Sequence, residues 1–131
     1  MIHLYTDGSA KTKKGGWGCL IVEDDVEIEC SGTVENTTNN RMEITAVIEG
    51  LKLIRDGAVV IFSDSQYVIN CAQRKWKRNI NLDLWAIYDE IATRFIIEWR
   101  WVKAHNGHRE NTIADRLSRN YCASGHPARC N

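Results

Sequence analysis

The stretch AVVIFSDSQYV, residues 58–68, decides the fold. Five apolar residues run from Ala58 to Phe62, with β-branched Val59, Val60 and Ile61 inside. A run of that kind predicts a central strand buried on both faces. It then delivers Ser63 and Asp64 at its own end. IHLYTDGSA, residues 2–10, does something similar: Ile2, Leu4 and Tyr5 predict a strand, and Asp7 sits at its end. One such aspartate is ordinary, because Asp opens turns and caps helices. Two of them suggest a shared purpose.

Working outward, residues 1–34 read as three strands. A polar, Gly-rich turn, GSAKTKKGGWG, follows the first, and acidic EDD separates WGCLIV from VEIECSGTV as in a hairpin. Residues 40–56 carry Ile44, Val47, Ile48, Leu51 and Ile54 at helical spacing, with Gly57 as the stop. A short helix over SQYVINCAQ follows the buried strand, then a basic turn, RKWKRN. Residues 82–95 are helical in period, IIEWRWV alternates as a strand, and Ile113, Leu117 and Tyr121 mark one face of a closing helix. The order is β-β-β-α-β-α-α-β-α. The opening meander is antiparallel and the later strands join it in parallel through helical crossovers. The expectation is an α/β domain over 1–131, a mixed five-stranded sheet with helices on both faces and a flexible tail from about residue 123. Sites in such sheets form at strand ends, where Asp7 and Asp64 lie.

Bulk properties set the outer limits. Lys plus Arg and Asp plus Glu both number 17, so net charge neither indicates nor excludes a nucleic acid and local patches must decide. No apolar run approaches the ~20 residues of a membrane helix, and MIHLYTDGSA is no signal peptide. The expectation is a cytoplasmic protein without a membrane partner. Five cysteines with no CxxC pair read as reduced thiols, Cys19 and Cys71 as small core residues. Cys122, His126 and Cys130, spaced by four, admit a metal site or a disulfide, but Pro127 and Gly125 disrupt a helical arrangement and favour a frayed tail.

Two further acids admit two readings each. Asn40-x-x-Glu43 resembles a capping box. Asp115 suits an i,i+4 pair with Arg119 on an early helical turn. Gathered with Asp7 and Asp64 at one sheet edge, however, four carboxylates would repel one another and hold raised pKa values unless a cation sat among them. Hard oxygen ligands suit Mg²⁺.

YTDGSA, TTNNRMEITAVIEGL, FSDSQYV, NLDLW and WRWVKAHNGHRENTIADRLSR together resemble the blocks of type 1 ribonuclease H, in order and with compatible spacing, over residues 2–122. The resemblance implies a metal-dependent endonuclease that cleaves the RNA strand of RNA–DNA hybrids, leaving 5′-phosphate and 3′-hydroxyl ends. It implies two Mg²⁺ ions, with Mn²⁺ as a substitute. Asp7 would bridge them, Asp115 would hold the ion on the nucleophile side, and Glu43 and Asp64 would hold the ion near the leaving oxygen. His105 corresponds to a mobile functional histidine that moves a proton or helps product leave; without the motif it would read as a solvated loop residue. His108 reads as structural.

Hybrid recognition needs a test of each strand. The 2′-OH, both donor and acceptor, separates RNA from DNA. Asn39, Asn40 and Gln66 carry amides suited to it, with the backbone near Asp7 and Ser9 as support. Thr38 is placed near a phosphate. Lys75, Trp76, Lys77 and Arg78 are candidates for the DNA strand, in a basic stretch shorter than the helix-loop of several family members; a solvated turn is the plain alternative. Trp85 reads equally as a contact or as helix core. Trp99 and Trp101 read as packing. The chain is expected to act as a monomer. Two other functions stay in view: a binding module that keeps the fold without the chemistry, and another nuclease of the same superfamily, such as an integrase or resolvase.

Overall fold

The computed structural model describes residues 1–103 and 109–120, with the backbone of 129–130. β1 (Ile2–Lys11), β2 (Lys14–Glu23) and β3 (Val26–Val34) form the antiparallel meander. The first turn is tighter than the sequence suggests. Thr12 and Lys13 take φ of 55° and 66°, a two-residue connection with both central residues left-handed. That geometry matches the twist of the flanking strands, so pairing continues to Lys11 and Lys14.

Helix α1 (Asn39–Ile54) follows. Its cap is Thr38, whose hydroxyl accepts from the Arg41 N–H at 3.2 Å, so the capping-box reading of Asn40 and Glu43 gives way. Arg55, at φ 86°, ends the helix by donating its N–H to the Leu51 carbonyl; Gly57 opens the next strand instead. β4 (Gly57–Ser63), α2 (Gln66–Ala72), α3 (Leu82–Ala92), β5 (Phe95–Trp101) and α4 (Arg109–Ser118) complete the expected order. β4 pairs in parallel with both β1 and β5.

The five expected strands lie in the order β5-β4-β1-β2-β3. A two-residue sixth strand, β6 (Arg129–Cys130), adds to the β3 edge and places Cys130 opposite Cys30 in backbone register. Cys19 and Cys71 are free and buried, as expected, but Cys30 is disulfide-bonded, which corrects the reading of reduced thiols throughout. Cys122, His126 and Tyr121 lie outside the described residues, as does the start of the expected tail.

Helices α1 and α3 cover one face of the sheet and α4 covers the other over β1 and β2. Leu4, Ile61, Val59, Ile44, Val47, Leu51 and Trp85 are almost fully buried between them. Each such side chain contributes about 1.5–3 kcal/mol relative to exposure. This core fixes the sheet ends against which the acids are placed.

Candidate active site

β1 and β4 pair only as far as Tyr5↔Phe62; β4 ends at Ser63, whereas β1 runs on through Asp7 to Lys11, so Asp7 lies within its strand and not at the end that the sequence suggests. A crevice opens there, with Asp64 as the first residue past β4. Two glycines bring helices to it from opposite faces. A Cβ on Gly8 would lie 2.3 Å from the Met42 carbonyl carbon and 2.4 Å from the Glu43 nitrogen. A Cβ on Gly18, which pairs with Asp7, would lie 2.5 Å from Leu117 Cβ and 2.7 Å from the Ala114 oxygen. Only the missing side chains let α1 and α4 approach this closely. Glu43 rides in on α1 and Asp115 on α4.

One carboxylate oxygen from each of Asp7, Glu43 and Asp64 lies within 4.8 Å of the others. Asp115 lies beside this triad, close enough for its carboxylate to raise that of Asp7, and its Oδ1 accepts from Arg119 Nε at 3.0 Å. The i,i+4 pair with Arg119 is thus formed, but Asp115 stands in the second half of α4 rather than on an early turn. Burial, then the charge of Asp64 and the nearby carboxylate of Asp115, push the Asp7 carboxyl up to about 8, against the opposing Gly8 N–H. Burial first, then Asp7 and Asp64, hold Glu43 well above its ordinary value. Glu43 Oε1 is buried with no hydrogen-bond partner among the described residues. An unpartnered buried oxygen beside two more carboxylates is a donor set suited to a hard divalent cation.

A pH dependence of stability follows from this burial of acids. Between pH 3.8 and about 8 the folded chain keeps a proton on Asp7 that the unfolded chain has released. The native state binds more protons across that window, so metal-free stability falls as pH rises through it, by about 1.4 kcal/mol for each pH step of one. Urea midpoints should decline from acid to alkaline pH in chelator, and Mg²⁺ should restore the alkaline side. A flat profile in chelator would contradict the clustering.

The other expected residues divide. Asn39 Oδ1 accepts from the Ala10 N–H at 2.6 Å, tying α1 to β1, and Ser9 Oγ donates to the Ser118 carbonyl at 3.2 Å. Asn40 is half-buried in the first turn of α1, and Gln66 is exposed as the first residue of α2. Asn40 precedes Glu43 by three residues on α1, and Gln66 follows Asp64 by two. Lys75, Trp76 and Lys77 are exposed along an open cleft of about 780 Å³. Arg78 is not free with them. Its side chain is 7% exposed, pairs with Asp89 at 2.7 Å, donates to the Cys71 carbonyl at 2.9 Å and lies 4.7 Å above the Trp85 ring. Trp85 itself is core, 1% exposed, with its indole N–H donated to Tyr67 Oη at 3.3 Å, so the contact reading is withdrawn. His105 and His108 lie outside the described residues. Trp101, read as packing, is half exposed and donates its indole N–H to the Asp64 carbonyl.

A family model described as RNase H matches residues 1–123. The chain belongs to the RNase H family. Ribonuclease HI of Neisseria meningitidis serogroup A is 46% identical over 133 residues, spanning 89% of this chain and 92% of its own length. LC9-RNase H1, described as a type 1 RNase H with the type 2 active-site motif, superposes with a TM-score of 0.80 at 27% identity, covering 99% of this chain and 77% of that one. LC11-RNase H1, solved in complex with an RNA/DNA hybrid, has the same fold at a TM-score of 0.75 and 20% identity, covering 94% of this chain and all of that one. The type 1 ribonuclease H reading thus stands, and with it an enzyme rather than a binding module. Among the described residues of this RNase H, no helix is long and apolar enough to cross a membrane.

Proposed function

We propose that this RNase H hydrolyses the RNA strand of RNA–DNA hybrids with two divalent ions held by Asp7, Glu43, Asp64 and Asp115, leaving 5′-phosphate and 3′-hydroxyl ends. The observation that carries the reading is the convergence of buried Asp7 with half-buried Glu43 and Asp64 at the sheet crevice, with the unpartnered Glu43 oxygen inside it. Mg²⁺, or Mn²⁺ in its place, would supply charge neutralisation at the attacking water and the leaving oxygen. The chain's own contribution is to hold four acids converged before substrate arrives, on elements fixed by the core. Asn40 and Gln66 present amides beside them to the RNA minor groove and its 2′-OH. Asn39 holds the α1 start to β1, and Thr38, the exposed cap, stands where a backbone phosphate would pass. Ser9 supports the β1 end. His105 is assigned the proton or product-release step by resemblance. A monomer in the cytoplasm completes the reading.

The test is to incubate the protein with Mg²⁺ and labelled hybrid, duplex DNA or duplex RNA. Cleavage confined to the RNA strand of the hybrid, with the stated ends, supports the proposal. Cleavage of either duplex with the hybrid untouched would refute it.

The DNA-strand grip is assigned to Lys75, Trp76 and Lys77, with Arg78 holding their loop to α3. Replacing Lys75 and Lys77 by Ala should flatten the salt dependence of hybrid affinity by about 0.9 in log–log slope per lost phosphate contact. Removing Trp76 should cost about 1–3 kcal/mol of binding if a base stacks on it. Arg78→Ala should behave differently, losing about 2 kcal/mol or more of folding stability, because two backbone carbonyls lose their donor and Asp89 is left with Arg74 alone. Binding in Ca²⁺ and urea unfolding separate the two behaviours. An Arg78→Ala protein of parental stability with a flattened salt slope would return Arg78 to the phosphates.

A further inference from the structure

The end of β4 is held by a side chain outside the carboxylate cluster. Ser63 and Trp101 form the last register pair of β4 and β5. Two bonds continue the join beyond it: Val102 N–H donates to the Ser63 carbonyl at 3.0 Å, and Trp101 Nε1–H donates to the Asp64 carbonyl at 3.2 Å. The Asp64 carbonyl belongs to the peptide leading into Ser65. The Ser65 N–H donates to Ser63 Oγ at 3.0 Å, and the Ser65 hydroxyl caps α2. Both sides of this peptide are therefore pinned, its oxygen by Trp101 and its N–H by Ser63. The peptide plane sets the direction in which the Asp64 side chain leaves the chain.

Burial does not explain the residue that pins the oxygen. Trp101 is 51% exposed, so much of its ring adds nothing to the core. The packing role on this strand falls to Trp99, which lies against Tyr88 at 6.4 Å. What Trp101 supplies, and an apolar residue cannot, is one N–H aimed across 37 residues at the backbone of an acid in the triad. Without it the strand-end carbonyl can turn to water and the peptide can rotate.

We propose that Trp101 is a positioning residue: its indole N–H holds the Asp64 peptide so that the Asp64 carboxylate converges with Asp7 and Glu43 on a divalent cation. The proposal rests on the metal-dependent reading of the triad and extends it to a residue outside the four acids. Partners that orient metal ligands in this way are worth about 10–100-fold in metal affinity or activity.

The experiment uses the full chain with Trp101→Phe, which keeps a ring and removes the N–H, and Trp101→His, which keeps a ring N–H. Mg²⁺ affinity is measured by calorimetry without nucleic acid, and hybrid cleavage is measured against Mg²⁺ concentration. Trp101→Phe should bind Mg²⁺ about tenfold more weakly and need correspondingly more for half-maximal cleavage, with KM for hybrid at saturating Mg²⁺ unchanged. Trp101→His should recover part of that loss. Parental Mg²⁺ affinity in Trp101→Phe, or identical losses in both variants, would overturn the proposal. Asp7→Asn gives the baseline for a disabled site. A parent protein that binds Mg²⁺ yet leaves the hybrid intact would refute the proposed function alone, because the calorimetric comparison still reads Trp101.

Discussion

Asp7→Asn is expected to abolish hybrid cleavage and at the same time to raise the melting temperature of the metal-free protein. Asn keeps the shape of the side chain and an oxygen able to accept the Gly8 N–H now bonded at 2.9 Å. It removes the charge that burial, Asp64 and Asp115 oppose. Above the raised value of about 8, the parent folds with a charged group where solvation is poor, and the variant does not. Catalysis moves the other way. Metal-ion stabilisation of developing charge is worth several kcal/mol, and each 1.36 kcal/mol is tenfold, so a loss of about 10³-fold or more is expected. Turnover in Mg²⁺ and melting in chelator are the two measurements. Substantial remaining turnover would remove Asp7 from the site. A lower melting temperature in chelator would show that the acids do not repel one another in the folded chain.

What the sequence shows and what it hides divide along contact distance. Asp64 is legible because it follows an apolar run that reads as a buried strand; Asp7 reads as the end of its strand but lies inside β1, which pairs with β2 as far as Lys11. Glu43 was ambiguous because local spacing offers Asn40 as a capping partner. The long-range approach at Gly8 decides the matter, turning Glu43 toward Asp7 while Thr38 takes the cap. Arg78 is indistinguishable from Lys75 and Lys77 within RKWKR. Its pairing with Asp89, eleven residues on, and its seat over Trp85 take it off the surface. Trp101 reads as one more aromatic of an alternating strand, and nothing near it in sequence indicates the Asp64 carbonyl. The two-residue strand at the β3 edge is too short to leave a period at all. Residue blocks resembling a known family supplied what spacing could not, namely which acids belong together.

Gly8→Ala should damage both fold and activity, and its contrast with Gly57→Ala isolates the reason. At Gly8 the added Cβ would meet the Met42 carbonyl carbon at 2.3 Å, the Glu43 nitrogen at 2.4 Å and the Met42 oxygen at 2.7 Å. All three are backbone atoms, so no side-chain rotation relieves the overlap. Ordinary carbon contacts begin near about 3.5 Å, so the first turn of α1 must retreat by about 1 Å. Its attachments resist that movement: Asn39 Oδ1 holds the Ala10 N–H at 2.6 Å, and Met42 is 2% exposed in the core. Overpacking of this kind costs about 1–3 kcal/mol and occasionally more; rigid neighbours on both sides place Gly8→Ala at about 3 kcal/mol. Gly57 differs in kind. Nothing lies within 4 Å of its added Cβ, and only its φ of 104° opposes a side chain, at about 1–2 kcal/mol. Stability alone therefore separates the two modestly, but activity should separate them sharply. Moving α1 by about 1 Å shifts Glu43 relative to Asp7 and Asp64, and misplacement on that scale costs about 10²-fold. Gly57 lies at the opposite end of β4 from Asp64, and its variant should cleave at the parental rate once folded. Urea unfolding and Mg²⁺-dependent turnover of both variants give the comparison. Equal turnover in the two would mean that Glu43 keeps its place without the close approach at Gly8, and that some other contact draws α1 to the acids.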